Sequence, residues 1–297
     1  MSKRNKKVTI LVCCHKRDIM ATQPPYMPIH VGKALSKVDL DIQGDNTGDN
    51  ISVKNASYCE LTGMYWAWKN LKGCDVVGLC HYRRYFDFHH QCRRILDIQT
   101  FKTSAFHSVD LSVPVSITDN LKDGTAIVPK KKYYMANLYY DYCFGHVSDD
   151  LRTLENLIKE KYPTYWPAFH KIMWNNNALM HYNMFLMTYH DFNNYCSWLF
   201  PLLAEMEQRT NIKHYSTTQQ RIYGYMAERL FNIWLYAHHF KLHHHNIIWF
   251  NDQEPNPSTL NKLYKNLAAR LISLPLIIDG KVETLIKQHL PSLQYDK

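Results

Sequence analysis

The chain is 297 residues long, with 46% hydrophobic and 21% charged residues and only 10 Gly. That length and balance exclude a small disulfide scaffold, a collagenous chain and wholesale disorder, and suit one large α/β domain or two modest ones. Lys+Arg outnumber Asp+Glu by 35 to 26, giving a net charge of +9, so the partner to look for is anionic: a nucleotide, a nucleic acid or an acidic membrane surface.

The basic N-terminus, MSKRNKKVTILVCCHK, leads into Val8 to Cys14, a short β-branched apolar run. It suits a central parallel strand and is too short for a secretory signal. Residues 15–56 hold Pro24, Pro25, Pro28, Gly32, Gly44 and Gly48 and read as a long, turn-rich loop of the functional kind. A helix is expected over residues 55–70. Ser57 and Glu60 have the spacing of a capping box, and Leu61, Tyr65 and Trp68 share one face. Gly63 costs that helix about 1 kcal/mol relative to Ala and points to close backbone packing. Gly73 ends the helix, and Asp75 to Cys80 reads as a second buried strand. Strand, helix, strand in this order implies a right-handed parallel crossover.

HYRRYF, residues 81–86, follows at that strand's carboxyl end. The pattern is weak from 87 to 125, then Gly124 to Pro129 reads as a strand. An amphipathic helix is expected from Asp149 to Tyr162, with the paired carboxylates of Asp149 and Asp150 at its start as caps. Ala178 to Met187 reads as one apolar strand with His181 and Asn183 on the same face. Asp191 caps a helix to about Gln208 that Pro201 should kink. Ser216 and Gln219 open another helix, to about His239. Residues 241–257 are His- and Asn-rich loop or strand, and a helical tail closes the chain.

The 8 Cys, none in a C-x-x-C pair, sit mostly in apolar runs and read as reduced, buried thiols of a cytoplasmic protein. No stretch approaches ~18 apolar residues, so no bilayer-spanning segment is expected. P-loop, G-x-G-x-x-G and G-x-S-x-G signatures are absent. His243, His244 and His245 are adjacent, a poor arrangement for one metal ion.

The strongest chemical feature is HYRRYF. In open α/β sheets ligands bind beyond the carboxyl ends of strands, and guanidinium groups pair with phosphate oxygens. Arg83 and Arg84 therefore suit a diphosphate, with His15 past the first strand and His81 and Tyr82 able to meet a base, a ribose or a sugar. Adjacent residues of an extended segment face opposite ways, so one Arg can meet ligand while the other braces the fold. The competing structural reading pairs both with carboxylates. A second feature is a polar stripe of Arg221, Tyr225, Glu228 and Asn232 beside an apolar one of Ile222, Met226, Leu230 and Ile233. Glu228 there is a candidate general base, although spacing alone favours a solvated face. Asn183, on an apolar strand with His181, needs a partner because an unpaired buried amide costs about 1–3 kcal/mol. Glu60 is explained by its cap, with Tyr58 and Thr62 beside it keeping a binding role open.

YCELTGMYWAWKN (58–70) followed by DVVGLCHYRRYF (75–86) resembles a bacterial family first catalogued as a domain of unknown function and now grouped with glycosyltransferases of capsule, exopolysaccharide and O-antigen synthesis. VPKKKYY (128–134), NNALMHYNMFLM and RIYGYMAERLFNIWL (221–235) continue the likeness, which covers about residues 6–240. The resemblance implies a GT-A-like α/β fold: a mixed, mainly parallel sheet flanked by helices over residues 1–250, with a nucleotide-binding half at about 1–135 and an acceptor-side half at about 136–250. It implies hexosyl transfer from a nucleotide sugar, a uridine-diphosphate hexose or galactofuranose, to a polysaccharide or lipid-linked acceptor. Arg83, Arg84 and Glu228 become catalytic candidates. His15, Tyr58, Glu60, Thr62, His81, Tyr82, His181, Asn183, Arg221 and Tyr225 become donor or substrate contacts.

GT-A enzymes commonly hold Mg²⁺ or Mn²⁺ through a D-x-D motif, and hard cations need such carboxylates. HYRRYF stands in that place, so metal-independent transfer is expected, with arginines stabilising the leaving diphosphate. The tail at 251–297 offers Lys262, Lys265, Arg270, Lys281 and Lys287 among Leu and Ile. It suits either an anionic inner-membrane face or packing on the main domain or a second copy. Two readings compete with the enzyme: a nucleotide-sugar-binding protein without catalysis, and a binder of single-stranded nucleic acid, against which the dispersed basic residues argue.

Overall fold

The computed structural model describes residues 6–94, 96–253, 264, 267–269 and 271. The chain opens with β1 (Val8–Cys14), β2 (Tyr26–His30) and β3 (Gln43–Gly44). Helices α1 (Asn55–Tyr58) and α2 (Leu61–Asn70) precede β4 (Val76–His81), β5 (Arg84–Phe86) and β6 (Ile98–Phe101). Then come α3 (Val115–Asp119), β7 (Thr125–Pro129), β8 (Lys132–Tyr133), α4 (Leu138–Gly145), α5 (Ser148–Lys161) and α6 (Trp166–Met173). The remainder is β9 (Ala178–Leu179), β10 (Phe185–Thr188), α7 (Tyr189–Arg209), α8 (Ile222–Ala237), β11 (Lys241–His245) and β12 (Ile247–Phe250). Two compact units share these elements. The described residues of Met1–Lys130, Tyr182–Trp198 and Phe240–Pro257 form the first; those of Lys131–His181, Leu199–His239 and Ser258–Lys297 form the second.

The first unit is a mixed sheet in the order β11-β7-β10-β4-β1-β2-β3, with β5, β6 and β12 extending it. Strand β1 runs parallel to both β2 and β4. A strand so placed is covered on both faces, which is why its sequence is unbroken apolar rather than alternating; Ile10, Leu11 and Val12 are fully buried. Cys13 stands level with His81, so β1 and β4 deliver their carboxyl ends to the same edge. There β4 turns back through Tyr82 and Arg83 into antiparallel β5, pairing His81 with Arg84. HYRRYF is thus a tight hairpin rather than an extended segment. Strand β10 enters antiparallel between β4 and β7.

Strand β2 was not expected, because Pro28 demotes a run to loop or edge. It is tolerated because β3 reaches only Ile29 and His30, leaving Pro28 without a neighbour on that side. The expected helix over 55–70 is broken. Cys59 takes a left-handed φ of 53° and stops α1 after one turn. The capping box therefore does not form: Ser57 Oγ donates to the Lys54 carbonyl, and Glu60 is left at the start of α2 with no cap bond from its side chain. The buried face of α2 is Leu61, Thr62, Gly63, Met64, Trp66 and Ala67, not the expected Leu61, Tyr65 and Trp68. Tyr65 and Trp68 are half-buried and meet edge to face.

Close packing at glycine is clearest within β4. A Cβ on Gly78 would stand 2.9 Å from Leu186 Cγ, 3.0 Å from the Phe185 carbonyl oxygen and 3.1 Å from Ile10 Cγ1. Since one of those atoms is backbone, Gly78→Ala is expected to destabilise the protein by about 1–3 kcal/mol, read as a lowered urea midpoint at unchanged m-value. An unchanged midpoint would contradict this packing.

The second unit is helical, with a small β8-β9 hairpin. Helix α5 buries Leu151, Leu154, Leu157 and Ile158, while α6 buries Phe169 and Met173 and packs on α8. Ile222, Met226, Leu230 and Ile233 of α8 are buried, as their spacing predicts. Residues 264, 267–269 and 271 are helical, and Asn177 donates to the Ala269 carbonyl at 2.7 Å. The tail cations Lys262, Lys265, Arg270, Lys281 and Lys287 lie outside the described residues. Helix α7 runs unbroken through Pro201. No helix among the described residues is long and apolar enough to cross a membrane.

The run 178–187 is not one strand. Strands β9 and β10 belong to different units, and between them Tyr182 and Asn183 both take left-handed backbone, with φ of 72° and 50°. His181 and Asn183 therefore do not share a strand face. Consecutive left-handed residues other than glycine are strained by about 1–3 kcal/mol each and cluster at functional sites.

Candidate active site

At the carboxyl ends of β1 and β4 in the first unit, the residues past β1 interlock with the hairpin tip. Arg83 Nη2 lies 2.8 Å from Asp18 Oδ2, and Nε donates to Oδ1 at 3.1 Å. That pairing holds the guanidinium still more firmly protonated than usual. Lys16 lies 3.7 Å from the same carboxylate. His15 meets Tyr82 edge to face, with centroids 5.5 Å apart. Tyr85, wholly buried beneath, accepts from the Ala21 amide and donates to the Tyr82 carbonyl.

The two arginines have parted, but not by strand alternation: Arg83 lies in the hairpin turn and Arg84 opens β5. Arg83 is braced by a carboxylate. Arg84 lies against two rings, its guanidinium carbon 4.8 Å from the Tyr182 centroid and 5.1 Å from that of Trp249. Its Nε is buried and meets no acceptor among the described residues. A guanidinium's donors lie in its own plane, so ring contact leaves them available at the edge. Trp249 is placed there by β12, whose register sets it opposite Arg84.

The strained 182–183 turn is tied at two points in this unit. His81 Nε2 donates to the Tyr182 carbonyl at 2.8 Å, and the acceptor fixes that proton on Nε2. Asn183 Nδ2 donates to Glu60 Oε1 at 2.7 Å. This is the partner a buried amide requires, and it engages the carboxylate that the broken capping box released. Thr62 is fully buried, its hydroxyl donating to the Cys59 carbonyl and accepting from Asn55 Nδ2. Tyr58 is buried under Lys54.

The second unit gathers the polar stripe of α8. Its expected solvated face is open at Arg221 but enclosed towards Glu228 and Asn232. Asn232 is buried and clasps the Met180 backbone through both amide atoms, at 3.1 and 3.0 Å. Glu228 Oε2 faces His181 Nδ1 at 3.5 Å and Arg229 Nη1 at 3.2 Å. On its other ring nitrogen, His181 hydrogen-bonds the Tyr134 hydroxyl. Arg229, nearly buried, also reaches Asp141 at 3.5 Å. Burial raises the Asp141 carboxyl, and the charge of Arg229 pulls it back. Tyr225 stacks on His146 with centroids 4.1 Å apart and carries the Arg221 guanidinium at 5.4 Å. Burial first and Arg229 second push His146 down to about 4, so it is neutral at pH 7.

The structure thus brings His15, Glu60, His81, Tyr82, Arg83, Arg84 and Asn183 into the first unit's cluster, with Tyr58 and Thr62 buried in the scaffold beneath α2. His181, Arg221, Tyr225 and Glu228 fall in the second unit. Sequence reading missed Asp18, Tyr182 and Trp249 in the first, and Tyr134, Asp141, His146 and Arg229 in the second. Trp249 lay in a segment without clear pattern. Tyr134 lies in VPKKKYY, a segment whose only sequence signal is its family likeness. His244 and His245 turn to backbone carbonyls of Pro129 and Asp87. Among the described residues the trio with ligand atoms within 4.8 Å of one another is Asp123, His190 and Asp191, and their carboxylates already accept from Thr188 Oγ1 and the Gly124 amide.

A mixed, mainly parallel sheet with flanking helices and a polar cluster at its strand ends defines a GT-A-like α/β protein. One solved structure, titled "WbbM bifunctional glycosytransferase apo structure", is 28% identical, with a TM-score of 0.74 over 85% of this chain and 47% of that one. The chain thus spans about half the length of the protein it matches. No curated protein matches it. Residues 9–239 match the family described as domain of unknown function (DUF4422), and the chain belongs to that family.

Proposed function

We propose that this chain transfers a sugar from a nucleotide-diphosphate donor to a hydroxyl of a growing surface polysaccharide or lipid-linked acceptor. The observation that carries the reading is Arg84, a guanidinium held by aromatic rings at the carboxyl ends of β1 and β4 with its Nε–H unspent. The likeness to a glycosyltransferase supports it. In this reading Arg84 takes the diphosphate, and Lys16, past β1 beside Asp18, adds positive charge. His15 and Tyr82 meet the base or ribose, and the Glu60–Asn183 pair meets hydroxyls of the sugar. Arg83 holds the β1 loop in place through Asp18. Glu228 is the carboxylate assigned to the acceptor's proton. A uridine-diphosphate hexose, galactofuranose included, is the donor class to try first.

The residues at this strand end do not fit a divalent metal. Asp87, the carboxylate nearest the arginines in sequence, is buried and accepts from the amides of Gln91 and Cys92 at 2.9 and 2.7 Å. Asp18 is committed to Arg83. Phosphate charge therefore falls to arginine and lysine. Incubation with a panel of nucleotide sugars and saccharide acceptors tests the reading. A transfer product, or slow donor hydrolysis without acceptor, is expected, and most of the rate should persist in excess chelator. Loss of activity on chelation that Mn²⁺ or Mg²⁺ restores would overturn the metal-independent part; donor binding without any turnover would leave a binding protein.

A further inference from the structure

Residues 264, 267–269 and 271 lie on helical backbone within the second unit. Ala269 is buried, and its carbonyl accepts from Asn177 Nδ2 at 2.7 Å. The same amide nitrogen donates to the Tyr134 carbonyl at 2.8 Å. Asn177 is itself buried, so an amide with both protons spent pins this helix to its unit. That anchor fixes which side of the helix faces inward.

Tyr264, Leu267 and Leu271 are spaced i, i+3, i+7 and share one helical face. At 100° per residue Ala269 falls about 140–160° around from all three, on the opposite side. The exposures agree: Tyr264 is 75% exposed, Leu267 59% and Leu271 58%, against 1% for Ala269. A helix of a globular protein turns its large apolar side chains to the core and its small or polar ones outward. Here the order is reversed. A methyl group packs inward, while two leucines and a tyrosine form an unbroken stripe on the outside. An apolar stripe of that kind marks an interaction surface.

We propose that this stripe rests on the anionic surface of a lipid bilayer. Charge selects that occupant. Residues 255–278 carry Lys262, Lys265 and Arg270 and no Asp or Glu, in a chain whose net charge is +9. Leucine, tyrosine and basic residues together are the composition of a helix that lies in the headgroup boundary. The leucines enter the edge of the acyl region, the amphipathic ring of Tyr264 sits at headgroup level, and the basic residues draw the segment to anionic lipid. Size argues against a second copy of the chain: three side chains fall well short of the roughly 800 Å² per partner of a stable protein interface. The proposal stands apart from the glycosyl-transfer reading, although a lipid-linked acceptor would give the contact a use.

The test is flotation of the full chain with phosphatidylcholine vesicles, with and without phosphatidylglycerol. The wild-type chain should float with the vesicles that contain phosphatidylglycerol and stay largely in solution with phosphatidylcholine alone. Changing Leu267→Ser and Leu271→Ser together should lower vesicle partitioning by roughly 10²-fold, the effect of withdrawing two leucines from an apolar phase. Lys262→Ala, Lys265→Ala and Arg270→Ala together should lower partitioning onto phosphatidylglycerol by a similar factor, roughly 10²-fold. Thermal unfolding and size-exclusion chromatography accompany each variant, and the double-serine variant should keep its melting point and its mass in solution. A wild-type chain that stays down with phosphatidylglycerol vesicles would overturn the proposal, as would equal partitioning of the double-serine variant. A lowered melting point in that variant would assign the stripe to the fold, and a lowered mass would assign it to a contact between copies; either result also overturns it.

Discussion

Replacing Arg84 by Met is expected to lower kcat/KM for sugar transfer by roughly 10²–10³-fold, the scale of removing one preorganised donor from a developing anion. The reason lies in how the side chain is held. Two rings fix the guanidinium without using its hydrogen bonds, so its donors are in place before the diphosphate arrives and little reorganises as charge develops. Arg84→Lys should recover only part of the loss, because a point charge replaces a planar fork. Arg83→Met should act differently. Its partner Asp18 is nearly buried and would keep only the longer contact with Lys16, so the larger effect falls on stability. Steady-state kinetics with a nucleotide-sugar donor, beside thermal unfolding of each variant, separate the two. Equal kcat/KM in Arg84→Met and wild type would remove Arg84 from the reaction.

Glu228→Gln should reduce kcat by roughly 10²–10⁴-fold, the usual span for losing a general base. Donor KM should hold, since no donor contact is assigned to Glu228. Gln preserves the shape of the side chain and an oxygen for Arg229, which keeps its contact with Asp141, so folding should survive. Wild-type turnover in this variant would exclude Glu228 as the base.

Much of the sheet was readable from composition and period. Strand β1 follows its apolar run residue for residue, and β4, β7 and α5 fall within one or two residues of their patterns. These segments are local in origin: burial on both faces, or one face at helical spacing, writes itself into the sequence. What could not be read was set by partners distant in the chain. Pro28 hid β2, because only the shortness of β3 makes it acceptable. The positive φ at Cys59 undid a capping box that spacing alone supports, and so turned Glu60 from a cap into the partner of Asn183. The 178–187 run gave no sign of its left-handed turn, since neither Tyr182 nor Asn183 is glycine. The enclosure of Glu228 and Asn232 depends on Met180, His181 and Arg229, which no helical wheel displays. Of the arginine pair, the strand-end position was legible; the hairpin turn that separates them, the Asp18 brace and the Trp249 ring were not.

The antiparallel entry of β10 carries a consequence for how the chain is made. Strands β4 and β7 have both been synthesised by residue 129, yet the strand that joins them begins at Phe185. Until then each presents an open row of amides and carbonyls flanked by apolar side chains, the condition under which nascent sheets pair wrongly with other chains. Closing the gap brings β10 to β7, about sixty residues back, and to β4, about a hundred residues back, a slow, entropy-limited step. Shortening the chain between β7 and β10 would therefore quicken maturation, whereas stopping it before residue 185 would yield a polypeptide inclined to aggregate.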